Sequence, residues 1–184
     1  GPNRMSDQLL VGIGVVGLLA VLFWPSGSSQ RVRTAFEEAE QFLASQRYQE
    51  AIEQYEVALE ESVKPFVKTE IIDPDFPTLA YYKIAFANAQ IADQTGDITK
   101  YDVAVELIEN IYRTAHVPKH RELITFLWGY VLFKQDKFEE ADPKFQELID
   151  NYPNSLYLEN AWYSIGQLNF KTLEYDRARV AYKA

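Results

Sequence analysis

The chain has 184 residues, 47% of them hydrophobic and 14% aromatic, enough to bury the core of one domain. Its formal net charge of −9 argues against a nucleic-acid surface, because phosphate binding needs clustered Lys and Arg. It contains no cysteine, which excludes disulfides, thiolate zinc sites and lipid attachment through an N-terminal Cys.

Gly1-Pro2-Asn3-Arg4 reads as an expression scar (residues 1–4), with Met5 the native start. Leu9 to Trp24 then carries no charge. At ~1.5 Å per residue this stretch covers roughly 24 Å, short of the ~30 Å hydrocarbon layer. Counting Ser6 to Pro25, with Trp24 at the interface, closes most of that gap and predicts a transmembrane helix or signal anchor over residues 6–25. A cleaved signal peptide is the rival reading, since small residues follow Pro25. Against it, no Lys or Arg lies between Met5 and the apolar run. Gly12, Gly14 and Gly17 spell G-x-G-x-x-G with Glu37 twenty residues on, but no strand context follows, so a dinucleotide site is rejected. Small residues there suit packing against another membrane helix, and hence a homo- or hetero-oligomer through that face.

Residues 26–30 read as a flexible linker. From about Arg31 the spacing of apolar residues predicts helices throughout. The first pair runs to about Ser45, turns at Gln46-Arg47, and resumes from Tyr48 to Ser62. Val63–Thr78 contains Pro65, Pro74 and Pro77, which exclude a regular helix; it reads as an inserted loop or a partner-contacting arm. The second pair takes Leu79–Gln94 and Lys100–Tyr112 around a Thr95-Gly96-Asp97 turn. His116 and His120 are separated by Pro118 and joined by no Cys or carboxylate cluster, so no metal is expected. The third pair fills Arg121–Tyr152, with Asp136 and Glu139 placed as a capping box and Pro143 set to kink its second helix or delay its start. The fourth begins near Ser155 and reaches Ala184 about ten residues into its second helix, from which the native chain is expected to continue.

The pairs repeat. Gly129, Phe138, Ala141 and Phe145 recur 37 residues later as Gly166, Tyr175, Ala178 and Tyr182, and 37 residues earlier as Ala92, Tyr101, Ala104 and Ile108. A first unit has Ala39, Tyr48, Ala51 and Tyr55 in the same order. Gly129 and Ala141 on facing sides permit close helix approach, with Trp128, Phe138 and Phe145 filling the space around them, and Pro153 ends the unit. This order of residues resembles the tetratricopeptide repeat, with units at about 32–62, 79–113, 121–153 and 156–184. The resemblance implies an all-α fold of antiparallel helix hairpins stacked into a right-handed superhelix, here preceded by a single hydrophobic helix. Ala51, Ala104, Ala141 and Ala178 are expected at buried helix contacts.

No Ser/His/Asp or Cys/His set and no phosphate loop is present, so neither enzyme activity nor a cofactor is expected. In tetratricopeptide proteins the first helices of successive repeats line a concave groove that binds a protein or peptide. Carried over by position, the resemblance implies groove residues Phe126, Tyr130, Phe133 and Lys134 in the third repeat, and Tyr163, Gln167, Phe170 and Lys171 in the fourth. The second repeat offers Phe86, Ala89, Gln90 and Asp93, and the first Arg33, Phe36 and Glu40. The Lys/Asn clamp by which some members hold a C-terminal carboxylate has no counterpart, since Phe36, Glu40, Ala89 and Asp93 stand there.

The run from Phe138 through Tyr152-Pro153-Asn154-Ser155 to Gly166 is similar to bacterial envelope tetratricopeptide proteins of the Tol–Pal-associated and outer-membrane-assembly types. Those are secreted or lipid-anchored, whereas this chain offers an apolar helix. The expectation is a scaffold on the bacterial inner membrane, or a structural subunit of a larger membrane complex. Arg31 and Arg33 after the apolar run place the repeats in the cytoplasm by the positive-inside tendency; the resemblance places them in the periplasm, and the balance is set slightly there.

Overall fold

The computed structural model describes residues 27–183, and these residues form seven α-helices and no strand. In chain order they are α1 (Gly27–Ala44), α2 (Tyr48–Ser62), α3 (Phe76–Thr95), α4 (Thr99–Thr114), α5 (Pro118–Lys134), α6 (Phe138–Asn151) and α7 (Leu158–Lys183). The apolar stretch within 6–25, with its Gly12/Gly14/Gly17 face, lies outside the described residues. No described helix is long and apolar enough to cross a membrane.

Three hairpins, α1–α2, α3–α4 and α5–α6, stack in order, and α7 closes the row. Ala39, Ala51, Ala58, Ala85, Ala89, Ala104 and Ala141 are all fully buried. Side chains this small let neighbouring helices approach closely. Gly129 does the same on α5: a Cβ built there would lie 2.8 Å from the Phe145 ring of α6. The core is a chain of clusters, each shared by adjacent helices. One joins Ala85, Ala89 and Ala92 of α3, Tyr101, Ala104 and Ile108 of α4, and Ile124, Leu127 and Val131 of α5. The next joins Leu132 to Phe138, Ala141, Phe145 and Leu148 of α6 and Ala161 and Leu168 of α7. Stability built this way passes from neighbour to neighbour along the stack.

Each hairpin turns through one residue of positive φ: Gln46 at 60°, Gly96 at 74° and Asp136 at 59°. Around Gln46 the Arg47 N–H donates to the Phe42 carbonyl (2.9 Å) and the Gln46 N–H to Leu43 (3.1 Å). Around Asp136 the same pair recurs, Lys137 to Leu132 (2.9 Å) and Asp136 to Phe133 (3.0 Å). Both are Schellman motifs, which satisfy the open carbonyls of the first helix. Asp136 is therefore occupied in ending α5. The capping box expected of Asp136 and Glu139 does not form, and α6 has Lys137 at its N-cap with no side-chain cap bond.

Four further expectations change. The linker at 26–30 gives way to helix from Gly27, where Ser29 is buried and its Oγ accepts from the Lys68 N–H at 3.0 Å. The helix α3 begins at Phe76 rather than Leu79, because Pro77 fits a first helical turn and Phe76 is buried against the Phe36 ring at 5.6 Å. The helix α6 starts at Phe138 and includes Pro143, so its start is not delayed; Phe138, Ala141 and Phe145 are buried along it. The fourth unit is no hairpin: α7 continues unbroken through 171–174, and Ala178 is exposed instead of buried. Leu173 holds the place that Gln46 and Asp136 hold in the other units, two residues before the aromatic. A branched apolar side chain disfavours the positive φ that those turns use.

Candidate functional site

First helices of successive hairpins touch, α3 against α5 and α5 against α7, and this contact defines the inner face of the stack. The polar residues of that face form cross-links. On α1, Glu40 accepts from the Tyr55 hydroxyl of α2 and pairs with Lys83 of α3 at 3.3 Å. On α3, Asp93 accepts from the Tyr101 hydroxyl of α4 and from the Tyr130 hydroxyl of α5 (2.5 Å), and Lys134 of α5 lies 3.6 Å away. Burial, reinforced by the carboxylate each hydroxyl faces, pushes Tyr55, Tyr101 and Tyr130 well above the usual phenol range.

Against this geometry the implied groove residues separate into three groups. Phe126 and Ala89 belong to the interior: Phe126 stacks on Tyr157 at 4.7 Å and meets Phe145 edge-on, and Ala89 is fully buried. Phe36 is likewise taken up between Tyr55 and Phe76. Helical spacing alone did not separate these from groove positions, because the neighbouring helix claims one edge of the same stripe. Tyr130, Lys134, Phe133 and Lys171 lie on the inner face with partners already in place. The Lys171 ammonium sits over the Phe133 and Phe138 rings, at 5.6 and 5.8 Å from their centroids, and Lys134 is 5.9 Å from that of Tyr130.

Tyr163, Gln167 and Phe170 form the third group. They share the side of α7 that carries Lys171, at spacings of four, three and one. Tyr163 is 68% exposed and Phe170 58%, values that leave each ring without a full complement of contacts. Lys134 and Lys171, implied as groove residues, are committed to Asp93 and to aromatic faces, so the free resource of this region is aromatic surface.

The Val63–Thr78 segment is fastened to the body at several points. Besides Lys68 to Ser29, Asp73 pairs with His120 Nε2 at 3.0 Å and Asp75 with His116 Nδ1 at 3.6 Å. His120 therefore ties this segment to α5, and His116 lies close to its Asp75. Among the described residues no group of three or more His, Cys, Asp or Glu is placed to hold a metal ion.

Residues 126–155, the span of α5's second half, α6 and the junction to α7, match the family model described as tetratricopeptide repeat. Among solved structures, the chain is similar to the C-terminal TPR-containing domain of a Plasmodium falciparum FK506-binding protein. The TM-score is 0.57 at 18% identity, covering 82% of this chain and 93% of that one. No curated protein matches the sequence. Likeness at this identity shows the fold and nothing finer: the described residues have a TPR-like fold, with one repeat matched in sequence at 126–155.

Proposed function

We propose that the protein is a non-catalytic scaffold that holds a protein partner on its inner helix face and is tethered to a membrane by residues 6–25. The observation that carries the binding part is the pair of exposed rings Tyr163 and Phe170 beside the cross-linked row Asp93–Tyr130–Lys134 and Phe133–Lys171. Rigid aromatic surface next to a pre-ordered polar row suits an extended or helical segment that is apolar along one side. The tether is supported by the uncharged run Leu9–Trp24. In a bacterial envelope the partner would be another envelope protein.

The test is capture of partners by the full chain in detergent, compared with Tyr163→Ala/Phe170→Ala. Both side chains are exposed, so circular dichroism should be unchanged while capture falls at least tenfold. Equal capture by the variant sinks the assignment of this face. A second reading, a structural subunit of a membrane complex, is favoured by the other open side of α7, where Trp162, Leu173 and Val180 are also exposed. Substitution there, at Trp162→Ala/Val180→Ser, would then abolish capture in place of the first pair.

A further inference from the structure

The segment between α2 and α3 has two sides of different character. Val67 and Ile72 point inward and pack with Val32, Ala35, Ala58, Phe76 and Ala80. The outer side is apolar and bare: Phe66 is 90% exposed, Val63 82% and Ile71 55%. Phe66 also holds a φ of 65°, a conformation that a bulky L-residue avoids. A ring in that conformation and at that exposure is left largely unpacked.

The place of this tip matters as much as its composition. Lys68 donates its N–H to Ser29 in the first turn of α1, and Arg31 and Lys64 both bond Glu61, at 3.1 and 2.5 Å. The arm therefore lies against the start of α1. At ~3.8 Å between consecutive Cα atoms, Phe66 is within about 8 Å of Lys68. The apolar tip thus lies at the corner where the described chain starts, and in sequence the uncharged run Leu9–Trp24 ends just before that point. Lys64 and Lys68 flank the ring, and aromatic residues beside basic ones are the composition of the membrane–water boundary. Glu60 and Glu61 precede the arm and Glu70 lies within it, which suits a surface of low negative charge.

We infer that the Val63–Ile71 arm is a second membrane contact, its Phe66 tip seated in the interfacial layer of the bilayer that holds the anchor. It rests on the tethering reading above. Two points of attachment fix how the stack stands on the membrane: the start of α1 faces the lipid, and the hairpin turns face away. The Ile98 turn, one helix length of roughly 30 Å from the arm, would stay in water.

The cysteine-free chain allows single labels. Phe66→Cys, Ile98→Cys and Leu19→Cys variants of the full chain, each carrying an NBD fluorophore, are reconstituted in phosphatidylcholine vesicles containing a spin-labelled lipid. The inference expects strong lipid quenching at 19 and 66, several-fold above that at 98, with iodide quenching strongest at 98. Quenching at 19 with position 66 behaving like 98 overturns the arm contact and leaves the tether standing. No quenching at 19 overturns both. A label at 66 shielded from lipid and iodide alike also overturns the inference, because the ring is then covered by protein, either residues 9–24 of the same chain or a partner.

Discussion

Glycine at one repeat position plays two opposite parts in this chain. A Cβ at Gly129 would meet the Phe145 ring at 2.8 Å, whereas a Cβ at Gly166, 37 residues later, would meet nothing within 4 Å. The same substitution should therefore change sign between them. Gly129→Ala forces α5 and α6 apart and is expected to cost roughly 1–3 kcal/mol, as overpacking does. Gly166→Ala gains helix propensity on an open surface and is expected to stabilise by up to about 1 kcal/mol. Urea unfolding of both variants at neutral pH checks the pair. A loss at Gly166 comparable to that at Gly129 would mean that α7 is bent into a closed hairpin in solution.

The hairpin turns show how a helix boundary is chosen. Gln46 and Asp136 adopt positive φ without being glycine, because the Schellman bonds around them and the following aromatic residues, Tyr48 and Phe138, fix where the second helix must start. Arg47 adds to the first turn by lying over the Phe42 ring at 4.6 Å. The backbone strain is a local cost, so Gln46→Gly and Asp136→Gly should each raise stability, by about 1 kcal/mol at most. The readout is the denaturation midpoint at constant slope; a lower midpoint in either variant would show that its side chain makes contacts worth more than the strain. In α7 the matching place holds Leu173. Its side chain opposes the turn that the 37-residue register demands, and the element stays one rod.

At the scale of the whole molecule, hydroxyl–carboxylate bonds line the inner face, and one of them joins two hairpins. Tyr130 reaches Asp93 across a hairpin boundary; Tyr55 and Tyr101 orient Glu40 and Asp93 from within their own hairpins. Each phenol titrates higher in the folded chain than its unfolded value of about 10. The stability they contribute is thus fully present below about pH 10 and is lost as pH rises from there toward the folded values. Thermal melts between pH 8 and 11.5 should show a steepening loss above about pH 10. Tyr55→Phe/Tyr101→Phe/Tyr130→Phe should flatten that loss, while lowering stability at pH 8. An alkaline profile identical to the parent's would remove these three groups from the account.

The sequence by itself determined the helical periods, the order of small and aromatic residues that marks a repeat, and the proline-bearing insertion between the first and second units. These are local patterns, and a 3.6-residue period with Ala51, Ala104 and Ala141 at the contacts has few ways to pack. Much of the candidate site was not legible, for a related reason. One apolar stripe along a helix serves both the neighbouring helix and the groove, and only the angle between helices divides it, sending Phe126 and Phe36 inward and leaving Tyr163 and Phe170 outside. The charges were equally ambiguous, since spacing placed Lys134 and Lys171 in the groove but not against Asp93 and Phe133, which come to them from other helices. Tertiary structure also decided the arm: three prolines told where helix stops, but the contacts of Ser29, His116 and His120, distant in sequence, settled where the segment lies and which side of it faces water.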